Sequence, residues 1–129
     1  PGAPAVPITP NNDRYINPIP SPDGTHVAYL GMESGLYVMR TDGTGEPVFL
    51  GQGNNPAWTS DGSGVVFDAT LDDGHHMVAG DIYYASGNFS EISNLTEGYG
   101  HIGQFPSISP NGQTVVFEVD GSIYEGTLQ

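Results

Sequence analysis

Apolar residues occur along this chain in short runs, and the runs are separated by turns rich in glycine, aspartate and asparagine. Three of the runs follow a turn that ends in Asp-Gly or Asn-Gly; they are His26–Leu30, Val65–Phe67 and Thr114–Phe117. Short runs of β-branched and aromatic residues bounded by such turns predict β-strands. The pattern therefore predicts an all-β chain.

The turns belong to a stretch that occurs in three related copies, Asn17–Gly24, Asn55–Gly62 and Phe105–Gly112. In each copy a short extended segment leads into the turn, and a strand follows it. The 19 glycines and 11 prolines suit many tight turns, because glycine supplies positive φ and proline pre-sets the turn dihedrals. Further strands are predicted at Leu36–Met39, Pro47–Leu50, Asp81–Ala85, Glu91–Leu95 and Ser122–Gly126.

Repeats of about 43 residues with four strands each are typical of β-propeller blades. We therefore predict a single domain over residues 1–129, with blades at approximately 17–52, 55–97 and 105–129 and an additional strand at 5–9. The aromatic residues that recur on the second strands (Tyr29, Phe67, Phe117) and third strands (Tyr37, Tyr83, Tyr124) are interpreted as core between blades.

Trp58-Thr59-Ser60-Asp61-Gly62 and Ser21-Pro22-Asp23-Gly24 resemble the core of the TolB-type, WD-like propeller repeat. The resemblance covers about 110 residues. It implies a propeller fold and a periplasmic or extracellular location, which agrees with a chain that begins at Pro1 and is interpreted as a processed form or an excerpt. It implies little about function, because such repeats occur in scaffolds, peptidases and lyases alike.

Spacing predicts how the third blade is completed. Tyr83 precedes Asn111 by 28 positions, and the residues after Tyr124 together with those up to Asp23 also make 28. Val6–Thr9 then corresponds to Ser93–Thr96, the fourth strand of its own repeat. We predict a homodimer that forms one six-bladed ring, in which each N-terminal strand completes the last blade of the other chain. The alternative is an excerpt of a longer six-bladed sequence.

Charge restricts the class of partner. Arg14 and Arg40 are the only cations against 15 acidic residues, and the formal net charge is −13. Such a surface repels phosphate backbones and anionic lipids, so we predict no nucleic-acid or membrane partner. The chain has no cysteine, which excludes disulfides and thiolate metal sites.

One irregular segment interrupts the second repeat. From the turn motif to the third-strand tyrosine there are 14 and 13 positions in the first and third repeats, but 22 between Asp61 and Tyr83. The extra residues fall in Leu71–Gly80, interpreted as a solvated loop or a contact with the neighbouring chain. Its carboxylates and imidazoles form a candidate divalent-cation site, although adjacent histidines in an extended segment point to opposite faces. The candidate ligands are Asp72, Asp73, His75 and His76.

The segments that enter the first strands offer polar groups for an axial funnel, where propellers commonly bind ligands. The predicted funnel residues are Arg14, Tyr15, Asn17, Asn54, Asn55, His101 and Gln104. Ser21, Ser60 and Ser109 are predicted to occupy the same position of the turn. They are interpreted as turn residues and not as nucleophiles, because none lies in a nucleophile elbow.

The predicted function is a non-enzymatic binding or scaffold module that presents this funnel to a protein, peptide or small ligand and needs no cofactor. Two alternatives remain open. One is a metal-assisted carbohydrate-active enzyme, since His101 and Gln104 are similar to the metal-binding set of TolB-like lyases. The other is a structural propeller fragment without a ligand of its own.

Overall fold

A computed structural model describes residues 5–72, 77–97 and 102–128. Within these ranges the chain contains no helix and eleven β-strands. The strands are β1 Tyr15–Pro20, β2 His26–Gly31, β3 Gly35–Arg40, β4 Val48–Gly51, β5 Asn54–Trp58, β6 Val65–Asp72, β7 Met77–Ser86, β8 Glu91–Asn94, β9 Gln104–Ile108, β10 Thr114–Val119 and β11 Ser122–Thr127.

The strands form three antiparallel meanders that follow the three repeats. Sheet I has the order β1-β2-β3-β4, sheet II the order β5-β6-β7-β8, and sheet III the order β9-β10-β11. The predicted all-β class is confirmed, with three sheets of four, four and three described strands. The described part of sheet III has three strands, so β11 forms its outer edge there.

The turn between the first and second strand of each sheet is built by the same hydrogen bonds. In sheet II the Thr59 hydroxyl donates to Asp61 at 2.8 Å, the Ser63 backbone N–H donates to the same oxygen at 3.0 Å, and Gly62 has a φ of 75°. Corresponding bonds join Ser21 to Asp23 and Ser109 to Asn111. Glycine is required because the left-handed φ strains other residues.

The hydrogen bonds of these turns explain why the same residue types recur in the repeat motif. Donation from the Ser63 backbone N–H, and then from the Ser63 and Thr59 hydroxyls, lowers the pKa of Asp61 to about 2. Thr59 takes the position of Ser21 and Ser109, whereas Ser60 takes the position of Pro22. Our prediction that Ser60 is equivalent to the other two serines was therefore wrong by one position.

The segment interpreted as an irregular loop mostly extends a hairpin. The β6–β7 ladder continues through Leu71↔Ala79 to Asp72↔Met77. The additional residues lengthen both strands of the hairpin. The added pairs keep the register of the ladder except for one shift next to Asp72. The loop prediction for Leu71–Gly80 is corrected accordingly for residues 71–72 and 77–80.

Apolar side chains fill the space between consecutive sheets. Between sheets I and II the core includes Leu36, Val38, Val65 and Phe67, all at most 2% exposed. Between sheets II and III it is formed by two clusters, whose buried members are Val66, Val115, Leu128, Ile82, Phe117 and Val119. Phe67 and Phe117 are buried in such clusters, as predicted for core between blades, whereas Tyr29 is buried with Val27 and Met39 on the opposite face of sheet I. The prediction of core was wrong for the third-strand Tyr124, which is 37% exposed.

The segment at 5–9 belongs to no sheet within the described chain, and its Val6 is 71% exposed. Ile8 nevertheless packs against Val27, Tyr29 and Met39 on the face of sheet I that is turned away from sheet II. The predicted strand needs a partner strand from outside this chain, so it remains a prediction.

Candidate functional site

The first strand of each sheet contains the same irregularity. Asn17, Asn55 and Phe105 have φ values of 54°, 52° and 54°, and the pairing with the second strand shifts at each of them. A residue other than glycine in this left-handed region marks a β-bulge, which bends a strand and changes the direction of its side chains. The bulges place the N-terminal halves of β1, β5 and β9 in equivalent positions.

The residues before the bulges form the exposed part of this region. Ile16, Asn54 and Gln104 are equivalent, because they pair with Leu30, Asp68 and Glu118 respectively. Ile16 is 41% exposed, Asn54 is exposed and Gln104 is half-buried. Phe105, directly after Gln104, is 52% exposed. The region therefore presents amides beside apolar side chains.

A cleft of about 200 Å³ opens at this region between sheets I and II. Its walls include Ile16, Leu30, Met32, Gln52 and Asn54. The Gln52 amide donates to the Ser34 carbonyl at 2.7 Å, and this bond holds one wall in place. Asn54 of β5, one of the predicted funnel residues, thus lines a concave surface together with Ile16 of β1.

Two of the predicted funnel residues are engaged in structural contacts. Tyr15 packs edge-on against Tyr29 and Tyr37, at centroid distances of 5.3 and 6.1 Å, and its hydroxyl donates to Asn12. The Asn55 amide donates to the Asp68 carboxylate at 2.9 Å. These contacts direct both side chains away from a role as free ligands.

The other predicted funnel residues are placed as follows. Asn17 and Arg14 are exposed, and the Arg14 carbonyl accepts the Met32 N–H at 2.8 Å. His101 lies outside the described residues, so its proximity to Gln104 stays a prediction.

Asp68 is a buried acid that sequence reasoning missed. It is 1% exposed, and one of its oxygens accepts both the Asn55 amide and the backbone N–H of Phe105, at 2.9 and 2.8 Å. Burial raises the pKa of this carboxyl, and the two hydrogen bonds oppose the shift. The bond to Phe105 joins sheet II to sheet III. The sequence contained one signal for this buried acid, because Asp68 stands where the first repeat has Leu30.

Asp13 anchors the segment that enters β1. Its carboxylate accepts the Ser34 hydroxyl at 2.6 Å and the backbone N–H groups of Arg14, Glu33 and Ser34. The Ser34 hydroxyl contributes most to the lowered pKa of Asp13. This network fixes the β2–β3 turn beside the cleft, and it makes Asp13 a positioning residue.

Within the described ranges, no three histidine or acidic side chains converge in a way that could hold a metal ion. The candidate ligands Asp73, His75 and His76 lie outside those ranges, and the side chain of Asp72 is not described. The metal site therefore remains a prediction. In the same part of the chain, no helix is long and apolar enough to span a membrane.

Three consecutive four- or three-stranded meanders, packed face to face, define a β-propeller. Solved structures share this fold. TolB from Acinetobacter baumannii matches with a TM-score of 0.65 and 23% identity, covering 92% of this chain and 31% of that one. A putative TolB from Agrobacterium tumefaciens matches with a TM-score of 0.62 and 24% identity, covering 91% and 42%. The chain thus has the TolB-type propeller fold that its repeats predict.

The fold is shared with other proteins as well. A prolyl endopeptidase matches with a TM-score of 0.64 and 19% identity, covering 88% of this chain and 20% of that one. No protein-family model and no curated protein sequence matches the chain. The chain spans less than half the length of the solved structures it resembles.

Proposed function

We propose that this protein is a non-enzymatic binding or scaffold module that takes a peptide or an extended protein segment at the cleft between β1 and β5. The observation that carries the proposal is the pair of equivalent side chains, Ile16 and Asn54, on one cleft of about 200 Å³. An exposed amide can pair with the backbone of a peptide, and the adjacent isoleucine can cover an apolar side chain. The partner is a protein or peptide.

Charge supports a cationic or neutral partner for this cleft. The net charge of −13 accelerates encounters with positively charged segments and disfavours nucleic acid and anionic membranes. The likeness to TolB-type propellers supports a periplasmic or extracellular location. No described observation favours the carbohydrate-active alternative.

We further propose that two copies form one six-bladed ring, because sheet II supplies a template for the completion of sheet III. Leu95 donates its backbone N–H to the Ile82 carbonyl at 2.7 Å, and Ile82 N–H donates to the Thr96 hydroxyl at 3.1 Å. Ile123 stands in sheet III where Ile82 stands in sheet II. Ile8 and Thr9 of a second copy would repeat the contacts of Leu95 and Thr96.

Two further observations support this arrangement. Ile8 already packs on sheet I as Leu95 packs on sheet III, over Val27 and Tyr29 in place of Val115 and Phe117. Pro7 corresponds to Asn94, whose neighbour Leu95 donates its N–H to the adjacent strand. Successive N–H groups of a strand point in opposite directions, so the N–H that Pro7 lacks would face away from that strand. The segment therefore suits the outer position of a sheet.

The binding function is tested with a displayed library of random 12-residue peptides selected on the purified protein. We expect selected peptides to lose at least about tenfold in affinity when Ile16 or Asn54 is replaced by alanine, because interface anchors commonly contribute more than about 1 kcal/mol. Ile92→Ala is the matched control, since Ile92 is 47% exposed but lies on β8. A selection that yields no binders, or binders that are insensitive to both cleft substitutions, contradicts the proposal.

The ring is tested by light scattering over a concentration series. We expect a particle of twice 13.6 kDa, and a chain lacking residues 1–9 should lose it because the outer strand of sheet III is then missing. A wild-type protein that stays monomeric at every concentration contradicts the ring.

A further inference from the structure

Each sheet presents an equivalent set of side chains to the sheet that follows it. In sheets I and II the set is buried or half-buried, whereas in sheet III every member except the half-buried Val116 is exposed. Sheet I presents Ala28, Leu30, Leu36 and Val38; sheet II presents Val66, Asp68, Ile82 and Tyr84; sheet III presents Val116, Glu118, Ile123 and Glu125. Ile123 is 73% exposed, and Glu118 is exposed as well. Sheet III thus exposes most of the positions that sheets I and II cover with the sheet that follows them.

The junction between sheets II and III shows what an acid does at this position. Asp68 of β6 accepts the backbone N–H of Phe105, the left-handed residue in the bulge of the next sheet. Glu118 of β10 is the equivalent of Asp68, because it pairs with Gln104 as Asp68 pairs with Asn54. Asn17 is the equivalent of Phe105, with the same φ of 54°. These are the two groups that would meet if a sheet I followed sheet III.

We propose that Glu118 is the residue that joins the two copies of the ring, by accepting the backbone N–H of Asn17 from the second copy. The proposal rests on the proposed ring and adds its specific contact. Phe105 stands in sheet III where Asn55 stands in sheet II, and its side chain cannot donate to the carboxylate as Asn55 does. Glu118 therefore has no equivalent amide donor in its own sheet, and the donor comes from the neighbour.

A cavity on sheet I could receive another side chain from the outer face of sheet III of the second copy. It has a volume of about 170 Å³ and is lined mainly by apolar groups, including Ile8, Tyr15, Pro18, Val27 and Tyr29. At the junction between sheets II and III, Val66 and Val115 belong to one buried cluster, and Leu95 packs against that cluster. Val116 of the second copy is the equivalent of Val66, and Ile8 and Val27 are the equivalents of the other two. The cavity thus matches a side chain that only a second copy of sheet III supplies.

Electrostatics makes the proposal sharply testable. Two copies with a net charge of −13 each repel one another, so removal of an arbitrary acid should tighten the dimer. Removal of Glu118 should weaken it, because the Asn17 N–H loses a charged acceptor at both junctions of a two-fold ring. Hydrogen bonds to charged groups contribute about 1.5–3 kcal/mol, so we expect a dissociation constant raised about 100-fold or more.

The experiment compares the dimer dissociation constants of wild type, Glu118→Ala and Glu46→Ala by sedimentation. Glu46 is exposed and precedes β4, so Glu46→Ala removes the same charge away from the proposed contact. Amide hydrogen exchange of Asn17 supplies a second measurement that needs no variant. We expect its protection to rise on dimerisation, while the Phe105 amide is protected at every concentration.

The outcomes separate the contact from the ring. A dimer that Glu118→Ala weakens and Glu46→Ala does not, with Asn17 protected, supports the proposal. A wild-type dimer that is unaffected or tightened by Glu118→Ala, or in which the Asn17 amide exchanges freely, overturns the contact and leaves the ring standing. A wild-type protein that is monomeric throughout overturns both.

Discussion

Phe67→Ala is expected to lower the free energy of unfolding by about 3–5 kcal/mol, as is common for a large aromatic residue removed from a packed core. Phe67 is 2% exposed, stacks on Tyr83 at a centroid distance of 5.7 Å and belongs to the cluster between sheets I and II. A Cβ on Gly53 would lie 2.5 Å from its ring, so the backbone that connects sheet I to sheet II is in close contact as well.

Urea unfolding followed by circular dichroism measures this loss. Phe49→Ala is the control, because Phe49 is a phenylalanine on β4 of sheet I that is 51% exposed and contacts Tyr37. We expect less than about 1 kcal/mol for this exposed ring. Equal costs for the two substitutions would show that the junction between sheets I and II does not form as described.

Asp68→Ala is expected to destabilise the protein strongly because it removes a buried acceptor from two partly buried donors. Each unsatisfied buried donor costs about 1–3 kcal/mol, and the substitution affects both the Asn55 amide and the Phe105 N–H. Asp68→Asn keeps a carbonyl oxygen that can accept both bonds, so we expect it to retain most of the stability. Equilibrium unfolding of the two variants at one pH compares them directly.

The stability of the wild type relative to Asp68→Asn is expected to change with pH in one direction. The pKa of Asp68 is raised in the folded protein by burial, so the folded state binds a proton more tightly than the unfolded chain. The wild type therefore loses stability relative to Asp68→Asn as the pH rises from about 3.9, the unfolded value, through the folded pKa. Unfolding measured between pH 3 and pH 8 should show that the unfolding free energy of the wild type minus that of Asp68→Asn falls in that window and is constant above it. A constant difference over the whole range would contradict a raised pKa.

Repeat counting predicted the fold well because the determinants of this fold are local. A Ser/Thr hydroxyl, an Asp or Asn and a glycine at fixed offsets build each turn through bonds within five residues, as at Ser21, Asp23 and Gly24. Such short-range chemistry leaves a readable pattern in the sequence. The one-position error at Ser60 arose because threonine replaces serine at the position that donates to Asp61.

Contacts between sheets could not be predicted in the same way. The bond from Phe105 to Asp68 joins residues 37 positions apart, and nothing near Asp68 in the sequence indicates its partner. The ring of Tyr15, a predicted funnel residue, packs on Tyr29 and Tyr37, and these contacts 14 and 22 positions away have no signal in the neighbouring sequence. The bulge residues are two asparagines and a phenylalanine, so no shared residue type predicts the bulges from the sequence.

The length of the second repeat shows a further limit of spacing. An insertion of this size is equally compatible with a loop and with a longer hairpin, since both begin and end at the same strands. The structure lengthens β6 and β7 to 8 and 10 residues. Residues at both ends of the predicted loop thereby become part of the sheet, and sequence distance alone does not distinguish these outcomes.

Trp58 gives the junction between sheets I and II an optical signal of its own. Its indole N–H donates to the Ile19 carbonyl at 2.8 Å, and its ring meets Phe89 edge-on at 5.6 Å. Because it is the single tryptophan of the chain, its emission depends on this junction and not on the one between sheets II and III. Fluorescence and circular dichroism transitions that fail to coincide would then reveal that the sheets separate one after another, as expected for units that contact only their neighbours.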